Sequence, residues 1–274
     1  MLKAAALYAA GVLAAVALTG CGLAYKELSD DRTEAAGITE VRLQGGSGNL
    51  TVRRGESQDI QIHRKVRYAG DKPGATDHRE GSALVVNTKC GARCTVHYTI
   101  TVPAGVDVGG HNGSGDVDLT DVGAVALDVG SGNVTVRGAA SDVEVRTGSG
   151  DIKLLDVKGT VTANAGSGNI TMTRIAGEVI VATSSGDVAA TELNGSKATA
   201  RTRSGNITLD LGKPQAVTAE TGSGDIRLKV PDGSYRVTTK ASSGDTAVHI
   251  PTDPAGTYLI DLHTGSGNIT IDKR

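Results

Sequence analysis

The chain has 274 residues, with 28 Lys and Arg against 30 Asp and Glu and a formal net charge of −2. Charges of both signs are interspersed, which argues against a nucleic-acid surface. Phe and Trp are absent and Gly numbers 38, so small branched side chains rather than large aromatics must build any core.

In chain order, Lys3 opens a short positive stretch, and Ala4 to Ala17 form an apolar run too short to span a bilayer comfortably. Leu18-Thr19-Gly20-Cys21 follows and resembles the lipobox of bacterial lipoprotein signal peptides. The resemblance implies that residues 1–20 are a signal peptide and that the Cys21 thiol carries lipid. Each buried CH₂ of a palmitate-type chain contributes roughly 0.8 kcal/mol, so two or three chains hold a protein on a membrane. The expected location is the extracytoplasmic face of the cell membrane. Residues 21–37, with Lys26, Glu27, Asp30, Asp31, Arg32 and Glu34, then read as a lipid-anchored polar tether.

Residues 38–274 read as one β-solenoid domain, irregular over about 50–112. Within that stretch Gln58 to Val66, Ser82 to Thr88 and Thr95 to Val102 alternate as strands. They are expected to close the N-terminal end of the stack, because an open parallel edge templates aggregation. Cys90 and Cys94 enclose a short loop. In an exported chain this pair reads as a disulfide. Zinc would need two further ligands, and His78 and His97 are the nearby candidates.

The dominant feature is a tetrad, Gly-Ser-Gly-Asp or Gly-Ser-Gly-Asn, ending at Asn49, Asp116, Asn133, Asp151, Asn169, Asp187, Asn206, Asp225, Asp245 and Asn268. From Asp116 the steps between tetrad ends are 17, 18, 18, 18, 19, 19, 20 and 23 residues. Apolar residues two apart flank it, as in Val161 and Ala163 before Asn169, and Ile170 and Met172 after it. That spacing is strand periodicity with one face inward. Turns repeating at a fixed short period favour coils stacked on one another over an antiparallel meander. The expected fold is therefore all-β, a parallel β-solenoid of coils of about 18 residues.

Gly fills the third tetrad place throughout, including Gly115, Gly132, Gly150, Gly168, Gly186, Gly205, Gly224, Gly244 and Gly267, while the first place drifts to Ser184, Arg203 and Ser242. Only the third place excludes a side chain, as positive φ or close backbone contact demands. The invariant Ser hydroxyl is expected to satisfy a turn amide or carbonyl. The fourth place alternates between Asp and Asn, which roughly doubles the separation of stacked carboxylates and lets an amide donate to charged neighbours. Asp225 and Asp245 break the alternation, and this singles them out for a bound cation or a shifted pKa.

Asn-x-Thr occurs at Asn49, Asn133, Asn169, Asn206 and Asn268, where Asn serves the turn and Thr the outward face. A calcium-binding roll needs Asp two places after Gly in both half-turns, whereas here Asp follows Gly directly, once per coil. No Gly-x-Ser-x-Gly elbow accompanies the serines, and the six histidines lack ligand spacing. The expectation is no catalytic residue, no metal and no cofactor.

With the lipobox, the repeat and the segment Tyr98-Thr-Ile-Thr-Val-Pro-Ala-Gly105 in view, residues 38–274 resemble the putative adhesin family of bacterial β-strand-repeat envelope proteins, a domain of unknown function. The resemblance implies a non-enzymatic surface for binding, adhesion or scaffolding. Its partners would be the membrane, through the anchor, and an envelope glycan or protein, not nucleic acid. Two other roles stay open: an accessory or sensor lipoprotein of envelope stress, and a glycan-active β-helical enzyme of the cell wall.

Overall fold

The computed structural model describes residues 25–274; the signal peptide of residues 1–20 and the lipidation residue Cys21 lie outside them. Every element among the described residues is a β-strand, and parallel coils make the chain a β-solenoid. Contacts divide it into two compact units, one ending at Gly132 and one running from Asn133 to Arg274.

The first unit contains β1 (Lys26–Glu34), β2 (Glu40–Gln44), β3 (Leu50–Arg54), β4 (Ile60–Tyr68), β5 (Asp77–Glu80), β6 (Ala83–Asn87), β7 (Cys94–Val102), β8 (Asp107–Ser114), β9 (Val117–Val122) and β10 (Val125–Ser131). One sheet has the order β1-β4-β7-β3-β9 and the other β5-β6-β2-β8-β10. β2 and β3 form one coil and β8 and β9 another, with Val41 registered on Val108 and Leu50 on Val117. The coil of β6 and β7 stacks on the other side of β2–β3, pairing Val41 with Leu84 and Leu50 with Tyr98. The first coil in sequence is thus second in space. Leu50–Arg54 is regular, so the irregular stretch begins after Arg54 and ends where β8 starts at Asp107, not at 50 and 112.

Antiparallel strands close this end: β4 on β7, β5 on β6 and β1 on β4. β1 corrects the tether reading of residues 21–37, because Lys26–Glu34 is a strand. Almost every side chain in it is polar, so hydrophobic periodicity could not announce it. Complementary charge holds it instead, since Glu27 faces Arg67, Asp30 faces Arg64 and Asp31 faces His63 across the ladder. Arg64 Nη2 meets Asp30 Oδ2 at 2.6 Å, and Arg32 pairs with Asp77.

The second unit contains β11 (Val134–Ala139), β12 (Val143–Ser149), β13 (Ile152–Val157), β14 (Val161–Ser167), β15 (Ile170–Ile175), β16 (Val179–Ser185), β17 (Val188–Leu193), β18 (Lys197–Ser204), β19 (Ile207–Leu211), β20 (Ala216–Ser223), β21 (Ile226–Val230), β22 (Tyr235–Ser243), β23 (Thr246–Val248), β24 (Tyr258–Ser266) and β25 (Ile269–Lys273). Its sheets run β11-β13-β15-β17-β19-β21-β25-β23 and β12-β14-β16-β18-β20-β24-β22. Equivalent residues stack in register, Val143 on Val161 on Val179 on Ala198. Inward Ile152, Leu154, Ile170 and Ile207 are fully buried, each contributing about 1.5–3 kcal/mol.

The end of this unit is also out of order. β24 lies between β20 and β22, and β25 lies between β21 and β23. The final coil in sequence is therefore inserted beneath the penultimate one. The chain end is tied down as well: Arg274 N donates to the Val230 carbonyl at 2.8 Å. Edge strands fray more readily than paired ones, and β25 is paired on both sides.

Candidate functional site

The tetrads form a corner whose chemistry is a ladder. In the second unit the Oδ1 atom of each fourth-place residue accepts the backbone N–H of its counterpart in the next coil. The series runs Asn133 to Asp151, Asp151 to Asn169, Asn169 to Asp187, Asp187 to Asn206 and Asn206 to Asp225, at 2.7–2.9 Å. Asn amides were expected to donate to charged neighbours, but the recurring donor is the backbone. Asn206 Nδ2 does reach Asp187 Oδ1, at 3.3 Å. In the first unit Asn49 Oδ1 accepts Asp116 N–H at 3.1 Å, and Asn49 N donates to His97 Nδ1 at 3.1 Å.

Asp225 and Asp245 are not neighbours, which corrects the cation site expected there. Asn268 stands between them, donating its N–H to Asp225 Oδ1 and accepting that of Asp245, both at 2.9 Å. The displaced coil completes the alternation: Asn206, Asp225, Asn268, Asp245. The Asn268 N–H, with the Arg227 guanidinium in second place, holds the Asp225 carboxyl below its ordinary range. Among the described residues no group of three His, Cys, Asp or Glu side chains comes together.

Nine of the ten third-place glycines, all but Gly48, have φ between +127° and +157°. A Cβ on Gly168 would lie closer than 3.0 Å to the Gly150 carbonyl oxygen, so both backbone angle and space demand glycine. Gly166 would also clash, against the Gly148 carbonyl, so the first place is less permissive than its Ser and Arg occupants suggested. The turn bond expected of the Ser hydroxyl runs through the backbone, Gly150 N to the Ser167 carbonyl and Gly168 N to the Ser185 carbonyl at 3.0 Å.

Sequence reasoning missed a column one place before the tetrad. Buried Thr183, Thr202, Thr221 and Thr264 donate through Oγ1 to the carbonyls of Gly168, Gly186, Gly205 and Gly224 at 2.9–3.1 Å. Asn112 does the same for Gly48 in the first unit, at 3.0 Å. The clue lay in Thr recurring at positions whose strand period faces the core. A second corner was also missed. Asp156, Arg174 and Glu192 stack there with φ of +56° to +57°, and the Arg174 guanidinium hydrogen-bonded to Asp156 lowers that carboxyl's pKa.

Cys90 and Cys94 form a disulfide that ends at the first residue of β7, and neither His78 nor His97 joins them. Near this loop burial pushes the Tyr98 phenol up, its hydroxyl lying 2.5 Å from Thr76 Oγ1 and 3.2 Å from Asp77 Oδ1. In the second unit Tyr235 and Tyr258 pack with ring centroids 6.1 Å apart and planes tilted by 46°. Burial first, then Tyr258, pushes the Tyr235 phenol up to about 12.

Outward side chains in register make rows across strands. One row on β18, β20, β24 and β22 reads Arg201, Glu220, His263, Lys240. It borders a groove of about 680 Å³ floored by Thr202, Thr221 and Thr264. Arg203 stands at its edge, where the coils of β20 and β24 carry Gly222 and Gly265. Arg201 Nε donates to Glu220 Oε2 at 3.3 Å, and His263 Nε2 lies 2.7 Å from Asp261 Oδ1. Among the described residues neither Arg203 nor Lys240 has an ion-pair partner.

Three solved bacterial proteins, each described as a putative adhesin, are similar to this chain. That from Bacteroides fragilis NCTC 9343 is 16% identical, with 91% of this chain and 97% of that chain covered and a TM-score of 0.44. Those from Parabacteroides distasonis ATCC 8503 and Parabacteroides merdae ATCC 43184 are 13% and 16% identical over 91% of this chain and 97% and 96% of theirs, with TM-scores of 0.35 and 0.33. No curated protein matches. Residues 38–273 match Toastrack DUF4097 over the whole stack of coils. The chain belongs to the Toastrack DUF4097 family.

Proposed function

We propose that the protein is a non-enzymatic, lipid-anchored component of the cell envelope whose stacked sheets present a binding surface. The observation that carries this reading is the register of the coils. Stacking of equivalent residues fixes outward side chains in straight rows on hydrogen-bonded sheet, so a partner meets a preorganised face. The anchor follows from Leu18-Thr19-Gly20-Cys21. Because β1 begins at Lys26, the link from Cys21 to the first strand is short, roughly 17 Å if fully extended. The domain would therefore sit close against the membrane, on its extracytoplasmic face.

Two measurements test this. Cys21→Ser should release the protein from membranes or leave its precursor uncut, and unchanged fractionation and maturation would overturn the anchor. Immobilised wild-type protein should retain solubilised envelope glycan or protein without releasing products from envelope polysaccharide. Retention of nothing, or product release, would overturn the binding role.

A further inference from the structure

The groove over β18, β20, β24 and β22 combines features that point to a class of ligand. The chain carries a formal net charge of −2, yet Arg201, Arg203 and Lys240 converge here against one lining acid, Glu220, while the lining His263 pairs with Asp261. Arg201 is matched by Glu220, whereas exposed Arg203 and Lys240 bring positive charge that no acidic side chain answers. Gly222 and Gly265 remove the side chains that would otherwise fill the space between them. Most other coils carry Gly or Ser at the place of Arg203, so the groove gains a cation where the turn does not require one.

The distances constrain the ligand further. Arg203 on β18 and Lys240 on β22 are separated by three strand spacings, about 14 Å. Side chains stand roughly perpendicular to a sheet, so one phosphate or carboxylate does not bridge both. A linear chain with successive oxyanions does. Guanidinium binds such oxygens with a planar fork and ammonium as a point charge. Half-buried Ser184 and exposed Ser242 line the same groove.

We infer that this groove binds a linear polyanion bearing carboxylate or phosphate groups, lying across the strands from Arg203 to Lys240. The inference rests on the binding role proposed above and names its ligand class. Glu220 works against such a ligand, so its removal should strengthen binding.

The test uses the full acylated chain in detergent, with polygalacturonate as the carboxylate polymer and inorganic polyphosphate as the phosphate polymer. Affinity for at least one should fall about tenfold in Arg203→Gln or Lys240→Gln and about a hundredfold in the double variant. Glu220→Gln should raise it several-fold, and Arg146→Gln, a variant of a paired arginine elsewhere on this sheet, should leave it unchanged. Melting curves should match, since the substituted side chains are exposed. Whichever polymer binds identifies the oxyanion. The inference is overturned if neither polymer binds, if galacturonate monomer or orthophosphate binds as tightly, or if the double variant binds like the wild type. Envelope capture that survives in the double variant would overturn the groove alone, and absent capture by the wild type would overturn the broader role.

Discussion

Asp225→Asn keeps the side-chain shape and removes its charge, so the sign of its effect reports which coil lies against Asp225. In the observed order Asp225 Oδ1 accepts the Asn268 N–H at 2.9 Å, and Oδ2 meets Arg227 at 2.7 Å. Both interactions favour the charged form. Charge-assisted hydrogen bonds contribute about 1.5–3 kcal/mol. The Asp225 side chain is 27% exposed and the amide still accepts, so a loss of about 1 kcal/mol is expected at neutral pH. Were the coil of Asp245 the neighbour, two carboxylates about 4.8 Å apart would repel by about 1 kcal/mol, and the substitution would stabilise by that amount. Linkage fixes the pH dependence. The folded pKa lies below the unfolded one, so the contribution is full above the unfolded value of about 3.9 and is lost as pH falls through the folded value. Denaturant titrations should show the variant less stable at about pH 7, with the gap closing in acid. A stabilised variant at neutral pH, or a gap that widens on acidification, would refute the reasoning.

Gly168→Val should destabilise by at least about 1–3 kcal/mol in the same titrations, combining strain at φ +152° with the collision at Gly150. Gly166→Ala should be milder yet measurable, and a harmless Gly168→Val would show the corner misread. Thr221→Val removes the donor to the Gly205 carbonyl and should cost about 1 kcal/mol. Thr171→Val on the exposed face should cost nearly nothing, so equal effects would count against the threonine column. Circular dichroism should be unchanged by excess chelator, because each of Asp151, Asp187 and Asp225 already accepts a backbone N–H and stacks against Asn. Loss of β signal would place the protein among metal-dependent folds.

The tetrads and the apolar pairs beside them made the coil legible in sequence, because a turn and its two strands are local. Coil order is not local. Val237 and Val217 look like neighbours in the repeat, yet Ile260 lies between them. The signal was present in the alternation: Asp225 followed by Asp245 broke it, and placing Asn268 between them restores it. β1 was hidden because charge across the ladder, rather than apolar period, holds it. Left-handed Asp156, Arg174 and Glu192 were hidden because the one glycine at their place in the column, Gly138 with φ +75°, lies in the coil before them. The groove was hidden because its row crosses four strands far apart in sequence, and the inserted final coil sets their order, placing His263 between Glu220 and Lys240.

That insertion sets the order of both the ladder and the strands of the groove, and cross-linking tests it most directly. Thr218 is registered on Asp261, and Asp261 on Thr238. Adjacent strands lie about 4.8 Å apart, within disulfide reach, and alternate strands about 9.6 Å apart, beyond it. Under mild oxidation the pair Thr218→Cys with Asp261→Cys should form a disulfide detectable by mass spectrometry of its peptides, and Thr218→Cys with Thr238→Cys should not. A bond in the second pair and none in the first would place the coils in sequence order and contradict the account.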